Sequence, residues 1–363
     1  MIYKADSIFT GYEMLHSHAL FVENSVIKKI LPASEIKSDD TVTDLGDVLL
    51  VPAFIDIQLY GAHNRLLAVY PDAETIHEIV KYCAAGGAAW CLPTVATNTY
   101  DTIFKCIDAI KDYWSKNGKG VIGLHVEGPW LNPVRRGAHR EEWIFSPTIS
   151  QAKELLDYGK GVIKMITLAP ETVSEEVIAL IRSYDIIISA GHSNATYEQA
   201  TEAFDKGIHN ATHLYNAMSP LQHRAPGLVG AILNHPKVLC SLVPDGHHVD
   251  YAAIRIAKKI MGPRLFAITD AVTETTQGYY KHHFEGDKYT SNGILSGSAL
   301  TMHKAFYNLV KHCDIPVEEA LRMCSTYPAM ALQMVDRMGV IKENAGANMT
   351  VLDKELQFKQ LIQ

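Results

Sequence analysis

Residues 121–128 read VIGLHVEG, a mostly apolar run that ends in a carboxylate and a glycine. Short apolar runs of this kind are typical of parallel strands that are buried on both faces. Seven further runs follow the same pattern, with segments of helical character between many of them. The eight predicted strands are 50–57, 88–93, 121–126, 162–168, 186–190, 208–212, 238–243 and 265–269.

Eight strands that are joined by helices favour a closed barrel over an open sheet. The helix starts are marked by residues that commonly cap helices, among them Asp72, Ser174 and Asp250. No GxGxxG motif follows the first strand, which argues against a dinucleotide-binding fold. We therefore predict an α/β protein built on a (β/α)8, TIM-like barrel.

The two ends of the chain do not follow this alternation. LFV (20–22) and VIKKI (26–30) flank a turn and predict a hairpin, and the last residues, 347–363, return to strand-like character. We predict a small β domain made from residues 1–49 and 336–363, with a catalytic barrel domain over residues 50–335. A barrel of about 250 residues plus one smaller unit fits the length of 363 residues.

Composition excludes several classes of function. The net charge of -7 argues against a nucleic-acid or acidic-membrane partner, and no run approaches the length of a membrane span. The six cysteines form no CxxC pair, which indicates a reducing compartment. The N-terminus lacks the apolar stretch of a secretory signal, so we expect a cytoplasmic protein.

Four chemically competent residues follow four of the predicted strands: Glu127, His192, His213 and Asp270. A closed barrel brings the carboxyl ends of all its strands to one rim, where active sites are found. One carboxylate and two imidazoles can bind a divalent ion and leave a position open, and Asp270 is then a candidate base. A structural role is common for any single buried histidine or glutamate, but four at equivalent positions favour a hydrolytic metal site.

Several segments carry a more specific resemblance. They are FIDIQLYG (54–61), HVEGPWLNPVRRGAH (125–139), SAGHSNAT (189–196), THLYNAM (212–218), RAPGLVGAI (224–232), DGHHVD (245–250), ITDA (268–271) and LSGSALTM (295–302). Together they resemble the amidohydrolase superfamily and, more narrowly, the N-acetylglucosamine-6-phosphate deacetylase family. The resemblance implies a metal-dependent amidohydrolase of amino-sugar metabolism. Its expected reaction converts N-acetyl-D-glucosamine 6-phosphate to D-glucosamine 6-phosphate and acetate.

The same resemblance implies a role for each matching residue. Glu127, His192 and His213 become the ligands of one divalent metal ion per subunit, expected to be Zn²⁺, and Asp270 becomes the general base and acid. His139 joins the metal in stabilising the oxyanion. The implied substrate-binding residues are Ala138, His139, Asn216, Ala217, Arg224, Asp245, His248, Leu295, Ser296 and Gly297. Relatives commonly form homodimers that complete the phosphate pocket across the interface, so we expect a homodimer.

Two departures from the family pattern leave alternatives open. Gln58-Leu59-Tyr60 stands where many superfamily members have His-x-His, which favours one tightly bound metal over two, although His63 is close enough in sequence to restore a second site. The loop 272–293 also differs and is expected to alter the preferred sugar. The alternatives are another N-acetylated sugar phosphate such as N-acetylgalactosamine 6-phosphate, a cyclic amide, or a catalytically silent barrel that binds sugar phosphate.

Overall fold

The computed structural model describes residues 1–291 and 293–363. The strands are β1 (Ile2–Phe9), β2 (Met14–Glu23), β3 (Val26–Pro32), β4 (Val42–Asp44), β5 (Leu49–Pro52), β6 (Phe54–Leu59), β7 (Gly61–Ala62), β8 (Arg65–Leu66), β9 (Ala88–Ala96), β10 (Leu124–Glu127), β11 (Ile163–Leu168), β12 (Ile187–Ala190), β13 (Asn210–Ala211), β14 (Leu239–Leu242), β15 (Leu265–Ala267), β16 (His283–Glu285), β17 (Lys288–Ser291), β18 (Ile294–Ser298), β19 (Met349–Leu352) and β20 (Phe358–Ile362). The helices are α1 (Ala73–Ala85), α2 (Tyr100–Ser115), α3 (Ile149–Tyr158), α4 (Glu175–Arg182), α5 (Tyr197–Asp205), α6 (Gly227–Asn234), α7 (Tyr251–Met261), α8 (Met302–Lys311), α9 (Val317–Cys324) and α10 (Thr326–Ala331).

Eight parallel strands form the central sheet, in the order β6, β9, β10, β11, β12, β13, β14 and β15. The sheet curls round so that its first and last strands meet just beyond their carboxyl ends. There the Tyr60 amide donates to the Ala271 carbonyl at 2.8 Å, and the Asp270 amide donates to the Gln58 carbonyl at 2.9 Å. The predicted TIM-like barrel is therefore confirmed, with all eight strands parallel as the apolar runs indicate.

The first predicted strand, 50–57, is wrong as a single element. Residues Leu49–Pro52 pair with β1 and β19 in another sheet, and the barrel begins only at Phe54. The chain changes sheets at Ala53, whose amide donates to the Asn348 carbonyl at 3.0 Å. Residues 50–59 are all buried. Because no polar residue marks the passage from one sheet to the other, the apolar run reads as one strand.

The strands from both ends of the chain form one sheet. Its main path is β20, β19, β5, β1, β2 and β3, with β4 paired to β1. This sheet packs on its own apolar cluster, which includes Ile8, Leu20, Ile27, Leu50 and Met349 and is separate from the barrel core. We propose that it is the small β domain, with a boundary that lies after Pro52 and not at residue 49.

Residues 272–282 lead from the barrel into a three-stranded antiparallel sheet, β16–β17–β18, which ends at Ser298. We call this sheet, with the segment that leads into it, the hairpin extension; residue 292 lies outside the described residues. A parallel bridge between Ala271 and Ser298 joins it to the rim. The Asn64 amide also donates to Thr273 Oγ1 at 2.8 Å, so the extension is attached to the barrel mouth from two sides.

Asp56 lies on β6 inside the barrel and accepts hydrogen bonds from Thr269, from Oγ1 at 2.5 Å and from the amide at 3.2 Å. These bonds join the first strand to the segment after the last. Burial raises the pKa of Asp56 to about 7, although the Thr269 hydrogen bonds oppose this shift. The carboxyl group is therefore easier to protonate in the folded chain than in the unfolded one.

Because the pKa of Asp56 in the folded chain lies above the ordinary value of 3.8, the free energy of unfolding depends on pH in a defined direction. The contribution of Asp56 to stability is full below pH 4 and is lost as the pH rises through 7, because the folded state binds the additional proton. Across that interval we expect wild-type protein to lose up to about 1.4 kcal/mol of unfolding free energy per pH unit relative to Asp56→Asn. Urea unfolding from pH 4 to 8 measures this, with the exposed Asp39→Asn as control; parallel curves for Asp56→Asn and wild type would refute it.

No helix among the described residues is both long and apolar enough to cross a membrane. The six cysteines are free and buried. Burial raises the pKa of the Cys106 thiol well above its ordinary value, so this thiol stays protonated and acts as a small apolar side chain.

Candidate active site

The rim of the barrel brings together residues that are far apart in sequence. Glu127 is the last residue of β10, and His192 and His213 each follow the end of a strand by two residues. Glu127 Oε1 lies 3.3 Å from His192 Nε2 and 3.1 Å from His213 Nε2. The two imidazole nitrogens are 3.0 Å apart. Three potential ligand atoms therefore face one another, as the strand positions predict.

The backbone after three of the strands is in the left-handed region. His192 has φ 48°, His213 φ 41° and Asp270 φ 54°. Residues other than glycine seldom adopt this conformation, which costs on the order of 1–3 kcal/mol at each position. Such strain is concentrated at functional sites because it directs a side chain where ordinary backbone would not. Here it occurs at three of the four residues that the sequence singles out.

Hydrogen bonds to the outer ring nitrogens distinguish the histidines. His192 Nδ1 lies 3.0 Å from the Arg135 carbonyl, which can only accept, so Nδ1 carries the hydrogen and Nε2 keeps its lone pair. His139 is the reverse: Nδ1 accepts from the Thr97 amide at 3.2 Å, so in the neutral ring Nε2 carries the hydrogen. His139 Nε2 then donates to Glu127 Oε2 at 3.1 Å. His192 therefore has the form of a metal ligand, and His139 that of a hydrogen-bond donor.

The donor set fits a divalent cation. Glu127, His139 and His192 each offer a ligand atom within 4.8 Å of the others, and His213 is as close to Glu127 as His139 is. Two ligands of a tetrahedral ion with bonds of about 2 Å lie roughly 3.3 Å apart, close to the separations seen here. Burial lowers the pKa of His192 to about 4, with His139 adding to the shift, so its ring is neutral and able to ligate.

Glu127 is ionised despite its burial. Burial alone would raise its pKa, but the facing His192 and the hydrogen bonds from His139 and His213 hold the pKa of the Glu127 carboxyl well below its usual range. A buried carboxylate that faces several imidazole nitrogens is a strong attractor for a cation. These residues are therefore the ones we propose as the metal centre.

Gln58 and Tyr60 connect the two carboxylates of the site. Gln58 Nε2 donates to Glu127 Oε1 at 3.0 Å and to Asp270 Oδ1 at 2.9 Å. The Tyr60 hydroxyl donates to Glu127 Oε2 at 2.5 Å and lies 3.3 Å from Asp270 Oδ1. Sequence reasoning treated these two only as poor metal ligands and missed this positioning role. The signal was available: Asp56, Gln58 and Tyr60 alternate along one face of a strand.

Asp270, the proposed base, lies opposite His248. His248 Nε2 is 3.8 Å from Asp270 Oδ2, and His248 Nδ1 is 2.6 Å from Asp245 Oδ2. Burial raises the pKa of Asp270, a shift that His213 and His248 oppose and Glu127 reinforces. The raised pKa lies closer to neutral pH than that of an ordinary aspartate. This suits a group that accepts a proton and later returns it. Asp245 fixes the orientation of the His248 ring.

One cavity at the rim is lined by most of the residues that the resemblance implies. They are Glu127, Ala138, His139, His192, His213, Asn216, Ala217, His248, Asp270, Leu295 and Ser296. Three others lie elsewhere. Asp245 lies behind His248, and Gly297 lies behind Val272, whose side chain would be 2.5 Å from any Cβ there. Arg224 is exposed on the loop before α6 and is absent from the cavity wall.

His63 and His125 are not part of this cavity wall. His63 is exposed, and its Nδ1 lies 2.5 Å from Glu78 Oε2. His125 is buried inside the barrel, where Nδ1 bonds the Ile57 carbonyl at 3.1 Å and Nε2 bonds Thr167 Oγ1 at 2.8 Å. Both ring nitrogens of His125 are therefore used, and they join β10 to β6 across the barrel and to its neighbour β11.

Comparison with known proteins identifies the family of the chain. A family model described as the amidohydrolase family matches residues 49–362. The chain is 33% identical to an N-acetylglucosamine-6-phosphate deacetylase of Haemophilus influenzae, over 96% of this chain and 94% of that one. It is 29% identical to an N-acetylgalactosamine-6-phosphate deacetylase of Escherichia coli, over 99% and 97%. The crystal structure of N-acetylglucosamine-6-phosphate deacetylase from Pasteurella multocida is similar with a TM-score of 0.94 and 32% identity, covering 100% of this chain and 98% of that one.

Proposed function

The chain belongs to the amidohydrolase family, and we propose that it hydrolyses the acetamide of N-acetyl-D-glucosamine 6-phosphate to D-glucosamine 6-phosphate and acetate. The observation that carries this proposal is the meeting of Glu127, His192 and His213 at the barrel rim, in one cavity with Asp270. This arrangement would combine a cation site with a buried carboxyl group, that of Asp270, whose pKa is raised. Metal-assisted hydrolysis of an amide uses both.

Glu127, His192 and His213 would hold the ion, for which we propose Zn²⁺ because two imidazoles and a carboxylate suit it. When bound, the ion would supply Lewis-acid chemistry that acidifies water and polarises the amide carbonyl. Asp270 would accept the proton from the attacking water and then return it to the departing C2 amine. Gln58, through its bond to Asp270 Oδ1, leaves Oδ2 as the oxygen that handles the proton.

His139 would stabilise the negative charge that develops on the carbonyl oxygen. The Thr97 bond at Nδ1 places the hydrogen on Nε2, which faces Glu127 Oε2 at 3.1 Å. This hydrogen would become available to the substrate oxygen when Glu127 holds the ion. A preorganised donor of this kind is worth more in a buried site than in water. His139 is 6% exposed and lies at the cavity wall, where it would contact the amide of a bound substrate.

For the phosphate we propose the end of the cavity near Asn216 and Ala217, with Arg224 contributed across a homodimer interface. Arg224 is exposed and outside its own chain's cavity, which suits a residue that serves a partner. A guanidinium group binds phosphate oxygens through two parallel hydrogen bonds. We propose that the enzyme works as a homodimer in the cytoplasm.

Acetate release from four substrates tests the proposed function. They are N-acetylglucosamine and N-acetylgalactosamine, each with and without the 6-phosphate. We expect kcat/KM to be about 100-fold or more higher with the phosphate, because charge-assisted hydrogen bonds to it would be lost without it. If neither phosphorylated sugar releases acetate, the proposed function is refuted. If kcat/KM is the same with and without the phosphate, Arg224 does not have its proposed role.

The galactosamine epimer is the second candidate substrate. The 29% identity to an N-acetylgalactosamine-6-phosphate deacetylase over nearly the whole chain favours keeping it in view. The two substrates differ only at one ring hydroxyl, so the same catalytic residues serve both. The epimer comparison in the assay above distinguishes them.

A further inference from the structure

We propose that His282 of the hairpin extension is a specificity-determining residue that hydrogen-bonds a ring hydroxyl of the amino-sugar substrate, an inference that rests on the proposed function. His282 lies beyond the segment ITDA (268–271) and outside every motif of the family resemblance. It nevertheless lines the same cavity as Glu127 and Asp270.

The His282 ring is held in a fixed position. Its side chain is 6% exposed, and Nδ1 is 2.8 Å from Ser296 Oγ. Ser296 lies on β18, which pairs with β17 and is joined to the barrel at Ser298. Among the described residues, the His282 ring hydrogen-bonds only Ser296. Its Nε2 is therefore left to bond something that enters the cavity.

The hairpin extension is tied down around His282, so the ring is presented by a fixed wall. The Tyr280 hydroxyl donates to the Thr97 carbonyl at 2.6 Å, and the Tyr280 ring lies edge-on to His139 at 6.4 Å. On the far side, His247 Nε2 is 2.8 Å from Asp287 Oδ1 at the turn between β16 and β17. A preorganised group of this kind loses little conformational entropy on binding.

The chemistry of the ring points to a hydroxyl as its partner. Burial, with a contribution from His283, lowers the pKa of His282 to about 4, so the ring is neutral at neutral pH. A neutral imidazole with one nitrogen occupied has either a donor or an acceptor left. A sugar hydroxyl can satisfy either, whereas a phosphate or a carboxylate would require the donor form and gain no charge pairing. The amide goes to the catalytic residues, so the groups left for this wall are ring hydroxyls.

Deoxy substrates combined with a variant test the proposal directly. Wild-type protein is assayed for acetate release on N-acetylglucosamine 6-phosphate and on its 1-, 3- and 4-deoxy derivatives, and so is His282→Phe. We expect one deoxy derivative to lose about 10- to 100-fold in kcat/KM with wild type, the scale of a buried group left without its partner. His282→Phe should lose a similar factor on the parent sugar and show no further loss on that derivative.

The neighbouring His283→Phe is the matched control, because His283 is exposed on β16; it should keep the wild-type discrimination. His282→Gln should recover part of the activity because it restores a polar group. The proposal is overturned if His282→Phe discriminates among the derivatives as wild type does, or if wild type processes all of them like the parent sugar. Absence of acetate release from every N-acetylated sugar phosphate would instead refute the proposed function. The deoxy-substrate assays on wild-type protein can exclude a hydroxyl contact by themselves. The proposal therefore remains testable even if a His282 variant does not fold.

Discussion

Replacement of Asp270 by asparagine is expected to lower kcat for acetate release by about 10³- to 10⁴-fold or more, with little change in metal content. The amide cannot accept the water proton or return it to the amine. The introduced side chain would still offer an oxygen to Gln58 Nε2, which now bonds Asp270 Oδ1 at 2.9 Å, so the local structure should persist. Steady-state acetate assays and metal analysis of the same preparation measure both quantities.

Asp245→Asn is the matched control for this result. Asp245 is also a buried aspartate at the rim, but it contacts the ring of His248 and lines no part of the cavity. We expect it to lose about 10-fold, because it positions His248 without handling the reacting proton. A rate for Asp270→Asn within a few-fold of wild type would remove Asp270 from the mechanism.

The second large effect separates two histidines that both lie against Glu127. We expect His192→Asn to lose its metal and to lower acetate release by about 10³-fold or more, because a ligand is lost. His139→Asn should keep a full complement of metal and still lower kcat by about 10²- to 10³-fold, the cost of removing one oxyanion donor. Mass spectrometric metal analysis beside acetate assays measures the pair.

The reason for the difference lies in the hydrogen bonds behind each ring. The Arg135 carbonyl at His192 Nδ1 leaves a lone pair at Nε2, whereas the Thr97 amide at His139 Nδ1 places a hydrogen there. The tautomer assignment is contradicted if His139→Asn is the variant that loses metal while His192→Asn keeps it.

The barrel was predictable because each of its strands is short, apolar and followed by a loop at the rim. The exchange of sheets at Ala53 was not, since Leu49–Pro52 and Phe54–Leu59 are almost equally buried and nothing polar separates them. Strand ends were also misplaced: β9 runs to Ala96, beyond the predicted 88–93, and residues 208–212 contain only Asn210–Ala211 as strand. There the chain leaves the sheet early to bring His213 to the rim, a geometry that hydrophobicity does not record.

The convergence of Glu127, His192 and His213 was predictable from strand ends alone, because a barrel fixes where those ends lie. Loop residues were harder, since the path of a loop depends on contacts made across the fold. Arg224 lies outside the cavity, whereas His282 lines it and is held there by a hydrogen bond to Ser296. No local sequence pattern predicts either position. Gln58 and Tyr60 were visible as an alternation, but their shared bonds to two carboxylates required the closed barrel.

Stepwise return of Zn²⁺ to metal-free protein, with acetate release from N-acetylglucosamine 6-phosphate followed at each step, tests the central claim most directly. That claim is that Glu127, His192 and His213 hold one ion that the reaction requires. We expect no release without metal and a linear rise that ends at about one ion per chain. Full activity in metal-free protein, or a rise that continues to two ions per chain, would contradict it.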